Sequence, residues 1–298
     1  MSSASEFAYI LRRSFSRLLL NDPLRLGAST AFFTLFALPP ILFILSTAFS
    51  AIFRGAIERG ALFKHLSTLI GKNTAFDVQV ILENISGISS EPLIIFLGSV
   101  FLLFVSTTLF IVIQNSLQQV WHIRNRLNFS FKDILIDRFV CLALILLSGL
   151  LFIFGLLSDF ALAYLERLLR NFDHEISVAW LRVLNSFVSM LLFSLWFAIL
   201  YRYLPHARIS WKAIRPGALL TGFLFSLGTY IIRILLVNSN FDTIYGTAGS
   251  VVILLLFVFY SSFILYFGAS FIYTFALHHN LEIELKPFAT RYRLINIE

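Results

Sequence analysis

The sequence predicts an all-α polytopic membrane protein, a bundle of six transmembrane helices with amphipathic interfacial helices. Three observations predict it: 58% of the residues are hydrophobic and 13% are charged, the mean hydropathy is +0.86, and the apolar residues gather in long runs. Soluble domains carry roughly 25% charged residues, so these few charges could not cover a soluble surface of this size. The apolar excess must therefore face lipid.

Six apolar runs reach the length of about 20 residues that a helix needs to cross the hydrocarbon core. They cover residues 28–53, 93–114, 138–158, 178–201, 214–237 and 249–277. The predicted organisation is an N-terminal segment at 1–22, a transmembrane domain at 23–277 with a long outer loop at about 54–92, and a tail at 278–298.

The basic residues predict the orientation of the bundle. Of the 23 Lys and Arg residues, 15 lie on the side that holds both termini, which the positive-inside rule assigns to the cytoplasm. The net charge is +7. The basic residues flank the apolar runs, and anchoring to anionic lipid headgroups explains their position. The expected partners are thus membrane lipids, and no nucleic acid is expected.

Two regions outside the spans have amphipathic patterns. In the 1–22 segment, apolar residues recur at helical spacing and the arginines fall elsewhere on the helical wheel, which predicts a cytoplasmic interfacial helix; these apolar residues are Phe7, Ile10, Leu11, Phe15 and Leu18. The 54–92 loop shows similar patterning and predicts two short helices on the outer surface.

The first span contains two prolines within its apolar run. Asp22 and Pro23 resemble a helix N-cap and first turn, so the helix should begin before its apolar core. Pro39 and Pro40 then remove two backbone donors. A kink is the favoured interpretation, and a broken helix that lines a cavity is the alternative.

Small and polar residues mark the fifth and sixth spans as packed helices. Ala218, Gly222 and Ser226 are spaced four apart, which allows another helix to approach closely. The last span carries more polarity than a lipid-facing helix would retain, so it should face the bundle interior. Its polar and small residues are Ser261, Ser262, Tyr266, Gly268, Ser270, Tyr273 and Thr274.

Polar residues in the spans are candidates for function because an unpaired polar group in hydrocarbon is costly. Gln114, Asn115 and Asn185 are expected to link helices by hydrogen bonds and are candidate substrate-binding residues. Asp159 and Arg202 are expected to reach the membrane interface.

The Asp242–Gly249 segment is the most specific candidate element, and Arg233 is expected beside it on the predicted outer side. Arg233 lies near the end of the fifth span, and Asp242 lies in the connection that follows. An ion pair between them could fix the outer loop, or Arg233 could meet the phosphate or carboxylate of a lipid-like substrate. Tyr245 could contribute to the same site or pack at headgroup level, and Gly246 permits the turn into the last span.

Three stretches resemble the YihY/BrkB family of inner-membrane proteins, formerly labelled ribonuclease BN. They are Asp22-Pro23 with Ala31-Phe32-Phe33 and Leu38-Pro39-Pro40; Tyr203-Leu204-Pro205 through Trp211 to Pro216-Gly217-Ala218; and Phe241 to Gly246 followed by Gly268-Ala269. The resemblance implies a bacterial inner-membrane protein with suggested roles in envelope or lipid transport. It also marks the prolines, Gly217, Gly246 and Gly268 as structural.

This chain departs from the family pattern at two places. Gln118 and Gln119 stand before Trp121 where the family usually has Asn and Arg, and Ser270 stands where an acidic residue is usual. A mechanism that needs a carboxylate at Ser270 is thereby placed in doubt.

No catalytic or metal-binding pattern is recognisable in the sequence. His65, His122, His174 and His206 are scattered, and the His278-His279 pair lacks further ligands at a metal-binding spacing. We therefore expect no enzyme, no ribonuclease activity, no metal and no cofactor.

The leading functional hypothesis is a transporter or translocation factor for a lipid or other amphiphilic envelope component. The alternative is a non-catalytic scaffold or partner subunit of envelope machinery. A deep hydrophilic cavity would favour the first, and a solid bundle with an apolar outer patch would favour the second. The substrate, the energy coupling and the oligomeric state are left open by the sequence.

Overall fold

The computed structural model describes residues 3–53, 76, 80, 92–125, 131–170, 175–237, 249–286 and 289–292. The helices in these ranges are α1 (Ser3–Leu19), α2 (Pro23–Phe53), α3 (Pro92–Val120), α4 (Phe131–Arg170), α5 (Glu175–Tyr203), α6 (Trp211–Val237) and α7 (Gly249–His278). The strands are β1 (Ile123–Asn125), β2 (Ala207–Ile209), β3 (Ile283–Leu285) and β4 (Ala289–Arg291). The predicted helices of the 54–92 loop lie outside the described residues, apart from Phe76 and Val80, which are helical and exposed.

The architecture is that of an all-α polytopic membrane protein, as the composition predicts. Five described helices, α2, α3, α4, α5 and α7, are long and apolar enough to cross a membrane. The fifth predicted span is also helical, as α6, but it carries Lys212, Arg215 and Arg233 and is not among these five. That α6 crosses the membrane stays a prediction.

The helices extend beyond the apolar runs from which they were predicted. α2 begins at Pro23 rather than at residue 28, in agreement with the Asp22-Pro23 signal, and the Leu26 amide donates to the Asp22 carbonyl oxygen at 3.1 Å. α4 covers 40 residues, whereas the predicted span was 138–158. Polar turns at the membrane surface continue a helix without adding to its apolar length, so the predicted bounds were too short.

α2 continues through its paired prolines. Pro39 and Pro40 both lie inside the helix, which runs to Phe53. The structure therefore agrees with a continuous helix rather than with the broken-helix alternative. Pro40 is buried, so the packed neighbours hold the backbone in place where the two donors are missing.

The chain returns repeatedly to one end of the bundle, which we call the terminal end. α2, α4 and α6 begin there, while α3, α5 and α7 finish there. Two antiparallel pairs cover it: β1 with β4, in which Arg124 faces Thr290, and β2 with β3, in which Arg208 faces Glu284. The strands that follow α3 and α5 thus pair with the two strands that follow α7.

α1 packs along α7 and is not only an interfacial helix. Ile10, Ser14 and Leu18 are buried, and the buried Ser270 hydroxyl of α7 donates to the Ser14 carbonyl oxygen at 2.7 Å. Phe15, although partly exposed, contacts the ring of Phe267. The predicted apolar face is therefore divided between contact with α7 and exposure at the surface.

Glycines bring α6 close to its neighbours, which confirms the close approach predicted at Gly222. A side chain there would collide with the backbone and hydroxyl of Ser194 in α5. Gly217 likewise faces Ile272 of α7. These positions have no room for a Cβ atom, so glycine is required by packing.

α7 faces the interior, as its polarity predicts. Ser262, Tyr266, Ser270, Tyr273 and Thr274 are all buried. The Tyr266 hydroxyl lies 2.5 Å from the Thr30 hydroxyl of α2. Gly268 leaves space for the side chains of Thr221 and Tyr201, and the Tyr201 hydroxyl donates to the Leu265 carbonyl oxygen at 2.7 Å.

Candidate functional site

A cleft of about 620 Å³, with polar side chains among its lining residues, opens at the terminal end. We call it the terminal cleft. It lies between the last turns of α3, the link from α1 to α2, the start of β1 and the residue after β4. Its lining residues are Leu20, Asn21, Asn115, Gln118, Gln119, Ile123, Arg124 and Tyr292.

α3 contributes three amides to one face of the terminal cleft. Asn115, Gln118 and Gln119 are spaced three and four residues apart, which places them on the same side of a helix. Asn115 is exposed. Gln119 is fixed on both sides: its Oε1 accepts from Arg25 Nη2 at 3.1 Å, and its Nε2 donates to the Asn21 carbonyl oxygen at 3.3 Å.

On this face, the Gln118 side chain has a hydrogen-bond donor without a partner in the described part of the chain. Its side chain is only 4% exposed, and its Nε2 has no hydrogen-bond partner among the described residues. A buried amide donor without an acceptor costs about 1–3 kcal/mol. An acceptor bound in the terminal cleft would recover that free energy.

A tight turn positions the far wall of the cleft. His122 joins α3 to β1 with a φ of 53°, in the left-handed region. Its carbonyl oxygen accepts from the Tyr292 amide at 3.0 Å, and the two rings are 5.5 Å apart. Trp121, just before the turn, is buried and donates from Nε1 to the Ala269 carbonyl oxygen at 2.9 Å.

The surroundings of the terminal cleft are electropositive. Arg124 lines it, and no Asp or Glu is among its lining residues in the described part of the chain. Burial, followed by the nearby charges of Arg17 and Arg291, lowers the pKa of His122, so a neutral ring is favoured. Burial is also the main cause that lowers the pKa of Arg17, whose guanidinium lies 4.8 Å from the centre of the Tyr273 ring.

A second polar cluster lies on another face of α3 and is buried. Gln114 Nε2 donates to the Leu204 carbonyl oxygen at 2.8 Å and lies 3.0 Å from His206 Nε2. That His206 nitrogen also lies 2.9 and 3.0 Å from the two carboxyl oxygens of Asp137. Gln114 thus joins α3 to the segment that follows α5 and lies beside the His–Asp pair; its partners are not helical, so this is not the direct bond between helices that was predicted.

Sequence reasoning missed Asp137 and His206. Asp137 immediately precedes the predicted third span, and His206 follows the Tyr203-Leu204-Pro205 stretch. The only signal in the sequence was a carboxylate adjoining an apolar run. Their pairing depends on the packing of α4 against the end of α5, which residue spacing does not reveal.

The paired histidines also have an acidic neighbour that the sequence did not indicate. Glu6 Oε1 lies 3.1 Å from His278 Nε2 and 3.6 Å from His279 Nε2, because α1 packs beside the end of α7. Within the described ranges there is no group of three or more His, Cys, Asp or Glu residues that could hold a metal ion.

The remaining predicted site residues are not brought to the terminal cleft. Asn185 is half-buried in α5, roughly 27 Å from Tyr203 at the helical rise of about 1.5 Å per residue, and its Oδ1 has no partner within the described chain. Arg233 lies near the end of α6. Asp242, Tyr245 and Gly246 lie outside the described residues, so their contacts stay predictions.

Comparison with known proteins assigns the chain to a family. The sequence model of the family described as "Virulence factor BrkB" matches residues 14–293. The chain belongs to the BrkB family. In this BrkB-family chain, the described lining residues of the terminal cleft all lie within the matched range.

Curated relatives of the BrkB-family chain are named as membrane proteins. It is 25% identical over 260 residues to a UPF0761 membrane protein of Ralstonia nicotianae, covering 83% of this chain and 54% of the relative. It is 26% identical over 259 residues to one from Teredinibacter turnerae, covering 85% and 57%. The chain thus spans little more than half the length of these relatives. No solved structure matches it significantly.

The two departures from the family pattern have structural consequences. Gln118 and Gln119 both line the terminal cleft. Ser270 supplies the hydroxyl that bonds α7 to α1. In this BrkB-family chain, position 270 therefore fastens two helices, and its hydroxyl is occupied by that contact.

Proposed function

We propose that this BrkB-family chain is a transporter or translocation factor for a lipid or another amphiphilic envelope component. It would act in the bacterial inner membrane with both termini in the cytoplasm, and the terminal cleft would receive the polar part of the substrate. The observation that carries the proposal is the position of this cleft, at the point where apolar helices end.

The position of the terminal cleft suits an amphiphile. Asn115 and Gln118 lie in the last turns of an apolar segment, Val100–Val120, and another apolar segment, Pro23–Leu45, begins beside the cleft. Polar groups at the ends of spans lie at headgroup depth. Leu20, which lines the cleft, and Leu24 are 76% and 66% exposed. An amphiphile could therefore hold its polar group in the cleft while its chains contact apolar surface.

A reconstitution assay tests this function. The full chain is placed in liposomes, and the transfer of fluorescent envelope lipids between leaflets is compared with that in protein-free liposomes. We expect faster transfer of at least one lipid class. Asn115→Leu should slow it, whereas Asn185→Leu, the same substitution at a distance from the cleft, should slow it less. Transfer no faster than in protein-free liposomes for every lipid would refute the proposal.

A scaffold or partner subunit of envelope machinery is the second candidate. It is favoured by the interior of the described bundle, where residues such as Leu117, Tyr201, Ile214 and Ile272 form a buried apolar cluster. A packed interior needs no substrate path. Lipid binding without transfer in the same liposomes would favour this function over transport.

A further inference from the structure

We propose that the terminal cleft is a binding site for a phosphate group, carried either on a phospholipid headgroup or on a free phosphate compound. The inference rests on the proposed function for the idea that the cleft takes the polar part of a ligand. It goes further because it names the chemistry of that part. Three features of the cleft support it: an unpaired buried donor, an arginine with no carboxylate among the described lining residues, and the volume of the space.

The unpaired donor favours a ligand that carries a hydrogen-bond acceptor. Gln118 is 4% exposed and lines the cleft, and its Nε2 finds no acceptor among the described residues. A buried donor without an acceptor lowers the stability of the folded protein. A ligand oxygen in the terminal cleft would restore this bond. Asn115, on the same helical face and exposed, adds a second amide.

The charge of the site selects an anion. Arg124 is exposed at the cleft, with no ion pair to a described residue. Arg25 lies behind Gln119 and donates to its Oε1. The acidic residue beside Arg25 is Asp22, whose carboxylate is 3.9 Å from Arg25 Nε and mostly exposed, and it does not line the cleft. Among the described residues that line the cleft, a cationic ligand would therefore face an arginine and no carboxylate.

The number of donors favours phosphate over a simple carboxylate. Arginine and amide groups around one space can each meet a different oxygen of a tetrahedral phosphate, and arginine binds phosphate through paired N–H groups. A volume of about 620 Å³ exceeds what one phosphate fills, so an ester substituent such as glycerol also fits. Leu20 and Ile123 provide an apolar wall for the carbon part.

Binding to the purified full chain tests the inference. In a neutral detergent, isothermal titration calorimetry is performed with dihexanoylphosphatidylglycerol, with dihexanoylglycerol, which lacks the phosphate, and with inorganic phosphate. We expect the phospholipid to bind and dihexanoylglycerol not to bind. Gln118→Leu and Arg124→Gln should each weaken phospholipid binding at least about tenfold, the loss expected for one hydrogen bond to a charged group.

Arg215→Gln is the matched control for Arg124→Gln. Arg215 is an exposed arginine in the first turns of α6 at the same end of the bundle, outside the terminal cleft. The substitution changes the net charge equally, so a nonspecific electrostatic effect would weaken both variants alike. Size-exclusion profiles and melting temperatures check folding. If Gln118→Leu does not fold, the exposed Arg124→Gln variant decides the result.

The outcomes separate the sources of phosphate. Equal affinity for inorganic phosphate and phospholipid supports a site for free phosphate compounds, while tighter phospholipid binding supports a headgroup site. Any one of three results overturns the inference: dihexanoylglycerol binds as tightly as the phospholipid, neither phosphate ligand binds, or the Arg124→Gln and Arg215→Gln variants bind the phospholipid with equal affinity. Phosphate binding without lipid transfer supports the inference and contradicts the transport function. Lipid transfer without phosphate binding supports the transport function and contradicts the inference.

Discussion

Asp137 and His206 show how polar groups are kept inside an apolar bundle. Both are buried, and His206 Nε2 contacts both carboxyl oxygens of Asp137 within 3.0 Å. Gln114 holds the ring from a third element. Around this pair, Lys286 donates its backbone N–H to the His206 carbonyl oxygen at 3.1 Å, so the segment after α7 is fastened to the same cluster.

Removal of one member of this pair should destabilise the protein strongly. Asp137→Leu leaves the His206 ring without its carboxyl partner, and loss of one partner from a buried pair typically costs about 3–5 kcal/mol. We expect a clearly lower melting temperature in detergent, and a smaller loss for Glu282→Gln, which removes an exposed carboxylate. The Asp137→Leu/His206→Leu double variant should lose less than the two single losses combined. Additive losses would indicate that the two residues do not act as a pair.

Arg233 and Asp242 permit a prediction that the sequence alone supports. If their contact is structural, Arg233→Ala should lower the melting temperature, and the charge-swapped double variant should recover both stability and lipid transfer. If Arg233 meets an anionic headgroup, the single variant should keep its melting temperature but lose stabilisation by added lipid, and the swap should not restore transfer. An Arg233→Ala protein equal to the unmodified chain in both measurements would contradict both interpretations.

At the scale of elements, apolar length located the helices but did not fix their ends. All six predicted runs lie within described helices, since lipid requires a continuous apolar stretch. The ends depend on polar turns that carry no such signal. The four strands were not predicted because each has three residues, too few for an alternating pattern, and each pair joins segments distant in sequence.

The candidate site was predictable only in part. Gln114 and Asn115 stood out because polar residues are unusual in a span, and the structure places Asn115 in the terminal cleft and Gln114 in the buried cluster. Arg124 and Tyr292 could not be connected with them from the sequence. Their approach depends on the pairing of β1 with β4, a tertiary contact.

The approach of α5 and α6 gives a test at this scale. Gly222→Ala would place a Cβ atom against the Ser194 backbone, which has little freedom to move, and overpacking of this kind costs typically about 1–3 kcal/mol. Gly98→Ala is the matched control, because an added Cβ there meets no atom within 4 Å and alanine favours helix over glycine by about 1 kcal/mol. Differential scanning fluorimetry should show a lower melting temperature for Gly222→Ala and an unchanged or higher one for Gly98→Ala. Equal effects would mean that close approach of the helices is not required.

For the molecule as a whole, the position of the chain ends bears on the number of crossings. Glu6 of α1 lies 3.1 Å from His278 at the end of α7, so α1 and the last helix share the terminal end. The five apolar helices alone are an odd number of crossings and would leave these two points on opposite sides of a membrane. A sixth crossing by α6 restores an even number. The contacts of α6 with α7 fit this crossing, because Gly217 faces Ile272 and Gly228 faces Tyr260, which is the order of two antiparallel helices side by side.

The last prediction is therefore six spans with both termini in the cytoplasm. The excess of Lys and Arg on the terminal side sets the direction, because basic loops are retained on the cytoplasmic face. Reporter fusions at residue 298 and within residues 60–90 test it in cells: the first should report the cytoplasm and the second the periplasm. A third fusion, within residues 238–248, isolates α6, since its reporter is periplasmic only if α6 crosses. A cytoplasmic signal there together with a periplasmic one at residue 298 would mean that α6 stays on one side, and that the shared end of α1 and α7 needs another explanation.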